Sequence, residues 1–299
     1  MSLRMGIIGL SEGNGHPYSW SAIFNGYDPV VMKDFGFPVI PEYLGERNFP
    51  EDAIGDAKVT HIWTDEMSVS EHVAKASKIP FVVKKLEDMV GVVDAVLLAR
   101  DDAENHRAHA EPFLKAGMPI YIDKPLSLSI TGAKELLSMQ RYDGQIFTCS
   151  ALKYAREFQL DSEQLSSLGK ILYVRGDVPK DWDKYAIHII DPILQLPIDK
   201  GSIRWSEKDR SGSADNLTVC YSNDIIVSIT AHGNVAAPIK ISLFGSKAKI
   251  DLLFADTFSA FKSALQDFVD IVNGRGKNSA ADSTLSCVNL IELGRFSDE

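Results

Sequence analysis

The chain opens on an apolar run, residues 4–10, that gives way to a polar, glycine-rich stretch, SEGNGHPYSW, before apolar side chains return at Trp20, Ile23 and Phe24. A continuous apolar run followed by three-to-four spacing predicts strand, glycine turn and helix, with Pro17 in the first helical turn, where its missing N–H costs nothing. After a gap the same rhythm resumes: a strand at 58–63, a helix at 69–77, strands at 81–83 and 93–99, a helix at 103–116 stopped by Gly117, and a strand at 119–122. Near-continuous apolar strands alternating with helices indicate a parallel sheet covered on both faces. The gap itself, residues 26–57, fits neither period and is rich in Pro, Gly and acids, which predicts an insertion with a small structure of its own.

A helix at 130–140 and a strand at 145–149 continue this texture, which changes after Gly169. Strands at 170–176, 202–207, 216–221, 225–232, 239–245 and 249–254 are longer and polar on alternate residues, as in an open, mostly antiparallel sheet, and helices at 258–273 and 284–293 close the chain. The expected fold class is α/β: an N-terminal, doubly wound parallel sheet in a domain spanning 1–125, then a C-terminal α+β domain spanning 126–299.

Composition narrows the function. A chain of 299 residues, 45% hydrophobic and 24% charged, has the mix of a globular protein large enough for two cores, which excludes disordered and fibrous classes. Forty-one acids against 31 bases, a net charge of −10, argue against nucleic acid or an anionic membrane as partner. Cys149, Cys220 and Cys287 are odd in number and lack metal-ligand spacing, so they read as reduced core thiols, and no metal site is expected. Without a signal-peptide pattern or an eighteen-residue apolar run, the expected location is the cytoplasm.

Four places could carry chemistry. In the loop from Gly9 to Gly15, backbone N–H groups and a helix N-terminus suit a pyrophosphate. The GxGxxG spacing is altered, with Ser11 and Asn14 at the second and third glycine positions, so nucleotide binding and an ordinary βα turn both remain open. Glu12 must turn outward if an anion binds. Asp65, at the end of the second strand, either accepts from ribose hydroxyls, favouring NAD over NADP because no Arg or Lys adjoins it, or belongs to an acid pair capping the next helix. In YIDKPLS, residues 121–127, an apolar strand delivers Lys124 between Asp123 and Pro125, either to donate to a substrate hydroxyl or to pair with a nearby acid. Finally, Tyr185, His188 and Asp191 share one face if WDKYAIHIIDP is helical, with Lys184 beside them, and a histidine that titrates near neutrality is the usual proton acceptor in alcohol oxidation. His16 and His106 lie in the expected cofactor loops, whereas His61, His72, His109 and His232 have no motif around them.

GIIG at 6–9, VDAVLLA at 93–99 followed by a polar loop and His106, AGMPIYIDKP at 116–125 and the histidine segment at 185–191 together resemble the glucose-fructose oxidoreductase / inositol dehydrogenase family over nearly the whole chain. AGMPIYIDKP matches the family's AGKHVxxEKP signature with Asp123 in place of the glutamate. The resemblance implies an N-terminal Rossmann domain binding NAD or NADP and a C-terminal domain whose open sheet mediates homodimer or homotetramer contacts. It also implies that Lys124 and His188 flank the nicotinamide. The expected catalytic residues are Lys124, His188 and Tyr185, the expected cofactor contacts Gly9, Ser11, Asn14, Asp65, Arg100, Asp102, His106, Asp123 and Lys124, and the expected substrate contacts Lys124, Lys184, Tyr185 and His188. Two departures stand out: Lys184 occupies the place of an aspartate four residues before the histidine, and RDDAENH replaces TPNxxH after the fourth strand, adding acids near the diphosphate.

The function expected from these features is an NAD(P)-dependent oxidoreductase acting on a hydroxyl or carbonyl of a sugar, sugar derivative or cyclitol. Alternatives are an NAD-dependent elimination or hydrolysis without net redox change, and a non-catalytic nucleotide- or sugar-binding homologue.

Overall fold

A computed structural model describes residues 2–278 and 281–296. They form two compact units. The first comprises the chain up to Ser127, Thr131–Thr148 and Phe261–Thr284; the second comprises Leu128–Ile130, Cys149–Ala260 and the chain from Leu285 onward.

In the first unit, β1 (Leu3–Ile8), β2 (Ala57–Trp63), β3 (Phe81–Val82), β4 (Ala95–Leu98), β5 (Ile120–Ile122) and β6 (Ile146–Phe147) make a six-stranded sheet in the order β3-β2-β1-β4-β5-β6. Every pair is parallel. The central strands are buried on both faces, which is why they read as unbroken apolar runs. The strand order reverses between β1 and β4, and in open α/β sheets ligands bind outside the carboxyl ends of the strands at such a switch point. The helices are α1 (His16–Asn25), α4 (Met67–Ala76), α5 (His106–Lys115), preceded by a 3₁₀ turn at Ala103–Asn105, and α6 (Ile130–Ser138).

The insertion at 26–57 holds two short helices, α2 (Pro29–Lys33) and α3 (Val39–Gly45). Asp28 starts α2 by accepting from the Val30 and Val31 N–H groups. Ile40, Leu44 and Ile54 are buried, Phe35 stacks on Tyr18 of α1, and Phe37 and Ile40 close on Gly15. The segment is therefore packed against α1 as part of the unit's core. Burial pushes the Tyr18 phenol up to about 12, and its hydroxyl bonds His72 Nδ1 at 2.8 Å.

The second unit contains β7 (Ile171–Val178), β8 (Ile203–Ser211), β9 (Ala214–Tyr221), β10 (Ile226–Ala231), β11 (Lys240–Gly245) and β12 (Lys249–Leu253), in the order β12-β11-β7-β10-β9-β8. Only β7 and β10 run parallel; the other neighbours are antiparallel. Alternate residues line the core, including Val174, Leu217, Val227, Ile229, Ile241 and Leu243. Against that face pack α8 (Trp182–Tyr185) and α9 (Ile187–Gln195), with Ile189 and Ile193 seated on Gly176, where a Cβ would stand 2.8 Å from Ile189 Cγ1. The remaining helices are α7 (Ser162–Leu168), α10 (Thr257–Val272) and α11 (Ala281–Gly294); Trp182 Nε1 donates to the Ile291 carbonyl of α11 at 2.9 Å. All three cysteines are buried and none forms a disulfide among the described residues, and no described helix is long and apolar enough to cross a membrane.

A single break at 125 does not describe the division into units. β6 extends the first sheet beside β5, and Phe268 of α10 packs on Tyr121 and Phe147 with ring centroids 5.7 Å from each. Period and polarity cannot show that the chain returns to an earlier unit. Phe268→Ala is expected to lower unfolding free energy by about 3–5 kcal/mol, as for a fully buried phenylalanine. Urea unfolding checks this, and a loss below about 1 kcal/mol would place the ring outside the core.

Candidate active site

The loop after β1 turns sharply at Gly9, where a Cβ would stand 2.2 Å from Pro17 Cγ and 3.2 Å from the Ala99 carbonyl oxygen. Gly13 has φ +77° and nothing within 4 Å of a Cβ position, so bare backbone is presented there, while Glu12 points outward. Ser11 and Asn14 are buried, and their side chains turn inward rather than toward a ligand. Ser11 Oγ donates to Asp101 Oδ1 (2.7 Å) and accepts from the Asp101 N–H (3.1 Å). Asn14 Nδ2 donates to Asp123 Oδ2 (2.9 Å), and Asn14 Oδ1 accepts from the His16 N–H (2.8 Å).

These bonds lead to Lys124, which β5 delivers to the carboxyl end of the sheet. Its side chain is 6% exposed, and Nζ lies 3.6 Å from Asp101 Oδ2 and 3.8 Å from Asp123 Oδ2. His16 Nδ1 lies 2.6 Å from the same Asp123 oxygen, and its ring stacks on Trp20. Burial alone would raise the Asp123 carboxyl, but His16 and Lys124 outweigh it and hold the group well below the ordinary carboxylate range. The acids of this edge are thus paired within the protein. Asp101 and His16 carry as much of the arrangement as the expected residues do; Asp101 was visible only as one of three acids in RDDAENH.

A second cluster sits beyond β2 and β4. Arg100 Nε and Nη2 grip Asp102 at 2.9 and 2.6 Å, and Nη1 donates to Asp65 Oδ2 at 2.5 Å. Asp65 has no cationic neighbour in sequence, but the fold supplies Arg100. Burial would lower the Arg100 value, yet Asp102 and Asp65 raise it above the ordinary guanidinium range. Asp65 keeps an exposed carboxylate at the end of β2. His106 differs from its expected role: it is fully buried, with Nδ1 3.1 Å from the Leu126 carbonyl and Nε2 2.8 Å from the Arg100 carbonyl, so it pins the two loops together instead of facing a ligand.

In the second unit the Tyr185 and His188 rings meet edge to face, centroids 5.3 Å apart. Tyr185 Oη also accepts from Lys180 Nζ. Asp191 turns elsewhere: the helix restarts between α8 and α9, and Asp191 Oδ2 accepts from the Ser150 N–H at 2.9 Å. Asp183 accepts from Arg295 Nε at 2.8 Å, and half-buried Lys184 donates its N–H to the α8 cap Asp181. His188 Nδ1 lies 3.0 Å from Ser150 Oγ, a partner with no motif to announce it.

A doubly wound sheet with a tight glycine turn, open backbone at Gly13 and a carboxylate at the end of β2 fits a dinucleotide. Residues 35–150 match the family model described as "Oxidoreductase family, NAD-binding Rossmann fold". The match begins beyond the altered glycine loop.

Solved structures share the fold at low identity. They include scyllo-inositol dehydrogenase from Lactobacillus casei with bound NAD(H) and scyllo-inositol (15% identity, TM-score 0.71, covering 98% of this chain and 96% of that one). Also similar are UDP-N-acetylglucosamine 3-dehydrogenase from Acidithiobacillus ferrooxidans (13%, 0.72, 98% and 97%) and biliverdin reductase from Synechocystis in complex with biliverdin and NADP+ (14%, 0.70, 97% and 97%). Among curated proteins none matches the chain in sequence.

Burial raises the Asp191 carboxyl above its ordinary value, and Lys153 and the Ser150 N–H offset only part of this. With the folded value above the unfolded one, the folded state binds more protons from about pH 4 up to the folded value, so stability falls as pH rises through that window. Asp191→Asn keeps an oxygen for the Ser150 N–H and removes the slope. Its melting temperature relative to wild type is expected to be higher at pH 7 than at pH 4, and a difference independent of pH would contradict the assignment.

Proposed function

We propose that the protein is an NAD(P)-dependent oxidoreductase that interconverts a hydroxyl and a carbonyl on a sugar, sugar derivative or cyclitol. The observation that carries this reading is Lys124, a buried ammonium at the carboxyl end of a parallel strand between two buried carboxylates. An ammonium held in this way donates to the oxygen of a polyhydroxylated ligand and stabilises negative charge as an alkoxide develops. His188 takes the hydroxyl proton during oxidation and returns it during reduction. When bound, the nicotinamide supplies the hydride acceptor or donor. Asp65, fixed by Arg100, serves the ribose hydroxyls, and the backbone around Gly13 serves the diphosphate, because the Ser11 and Asn14 side chains are engaged with acids.

The inositol and nucleotide-sugar dehydrogenases among the similar structures support a polyhydroxylated substrate. Lys124→Met is expected to lower kcat by about 10²- to 10⁴-fold while NADH affinity, read from nicotinamide fluorescence, stays nearly unchanged. Unchanged turnover would remove Lys124 from the mechanism. In the same titration NADH should bind more tightly than NADPH, and Asp65→Ala should narrow the difference; equal preference in both proteins would exclude Asp65 as the ribose ligand. Formation of NADH with a panel of sugars and cyclitols tests the redox reaction itself.

A further inference from the structure

A cavity of about 430 Å³ opens in the second unit between the end of α9, the 197–202 loop, β9 and α11, and every residue lining it belongs to that unit. Leu194, Ile198 and Leu290 give it apolar walls, while Lys200, Tyr221 and Asn289 bring polar side chains to it. Lys200 is 7% exposed and Tyr221 5%. Lys200 Nζ makes one hydrogen bond, to the Ile198 carbonyl at 3.3 Å, and an ammonium has three donors, so two are unspent. Asp199 beside it is exposed and accepts from the Gly201 N–H at 3.1 Å instead. Of the three buried lysine and arginine side chains among the described residues, Arg100 and Lys124 sit against carboxylates and Lys200 does not. The Tyr221 hydroxyl and the Asn289 amide have no hydrogen-bond partner among the described residues either. Burial pushes the Lys200 amine below its ordinary value, with Asp199 offsetting only part of this, and burial raises the Tyr221 phenol, which keeps its proton at neutral pH.

We propose that this cavity binds a small organic monocarboxylate with an apolar body, the carboxylate received by Lys200, Tyr221 and Asn289 and the hydrocarbon part lying on Leu194, Ile198 and Leu290. A charge taken out of water without a counter-ion is costly, and a bound carboxylate supplies the partner that the chain does not. All three polar groups donate, and a carboxylate with two oxygens accepts from each of them. One ammonium matches one negative charge, whereas the second charge of a phosphate dianion would meet Asp199 and no further cation. The apolar walls favour a ligand with a hydrocarbon part over a bare inorganic ion. The site shares no residue with those assigned to cofactor or substrate, so the inference goes beyond the proposed reaction and does not rest on it.

The test has a calorimetric and a spectroscopic arm. In isothermal titrations of the full chain, hexanoate should bind saturably, and hexanamide and inorganic phosphate at least about tenfold more weakly. Lys200→Met should weaken hexanoate binding at least about tenfold. Tyr221→Phe, which removes a hydroxyl bonded to nothing in the protein, should weaken it about three- to tenfold while melting within about 2 °C of wild type. In protein carrying ¹³C at lysine Cε, with the Lys200 signal identified by its loss in Lys200→Met, hexanoate should move the pH midpoint of that signal upward, because a carboxylate favours the charged amine. No saturable binding of hexanoate to the wild-type protein up to about 10 mM, or a midpoint that hexanoate leaves in place, would overturn the proposal, and neither measurement depends on how a variant's affinity is read. Equal affinity of wild type and Lys200→Met for hexanoate would overturn it too. Hexanamide binding as tightly as hexanoate would show an apolar pocket without a carboxylate subsite, and phosphate doing so a bare anion site; either result rejects the assignment.

Discussion

A buried ammonium between two buried carboxylates organises the ligand edge of the first sheet. Taking ions out of water costs several kcal/mol each, and mutual attraction repays it only where further hydrogen bonds satisfy the remaining lone pairs. Here Ser11 serves Asp101, Asn14 and His16 serve Asp123, and the Lys124 N–H closes on Asp123 at 2.8 Å. The loop after β1, the loop after β4 and the strand end at β5 are therefore tied to one electrostatic problem. Losing one partner leaves an uncompensated buried charge, so the substitutions that depart from the glycine pattern and those that add acids after β4 depend on each other.

That dependence explains an apparent conflict in the sequence. Acids beside a diphosphate site look repulsive, and a glycine loop with two positions filled looks degraded. In the folded chain Ser11 answers Asp101, Asn14 answers Asp123, and Arg100 with Asn105 holds Asp102, so three of the carboxylates at this edge are met by neighbouring side chains. What faces outward is backbone at Gly13, whose N–H needs no particular side chain to meet a phosphate. The strand order and the tight turn at Gly9, the elements a dinucleotide needs, are left intact.

Period and polarity made both sheets legible, because β-strands buried on two faces and on one leave different patterns. The terminal strand β6 and α10 show where that legibility ended, since affiliation with a unit is a matter of contacts between distant residues. The same holds at the site. Lys124 and His188 stood out by type and by neighbours, but their partners Asp101 and Ser150 came from loops whose sequence carries no spacing rule. His106 illustrates the converse: a histidine in a loop that looked ready for a ligand is fully buried between two backbone carbonyls, a local need that sequence cannot distinguish from recognition. Arg100 completes Asp65 from 35 residues away along the chain.

The two units solve the orientation of a polar side chain in different ways. Around Lys124 the solution is charge, with carboxylates on two sides and neutral donors behind them. Around His188 it is a neutral hydroxyl, with the nearby carboxylate of Asp191 spent on a backbone N–H and raised by burial toward its own neutral form. An ammonium that stabilises developing negative charge must stay charged, so surrounding anions serve it. A histidine that must gain and lose a proton is better matched by a partner whose charge does not bias either state strongly. On the proposed reaction, the contrast between the two environments follows from what each group is asked to do with its proton.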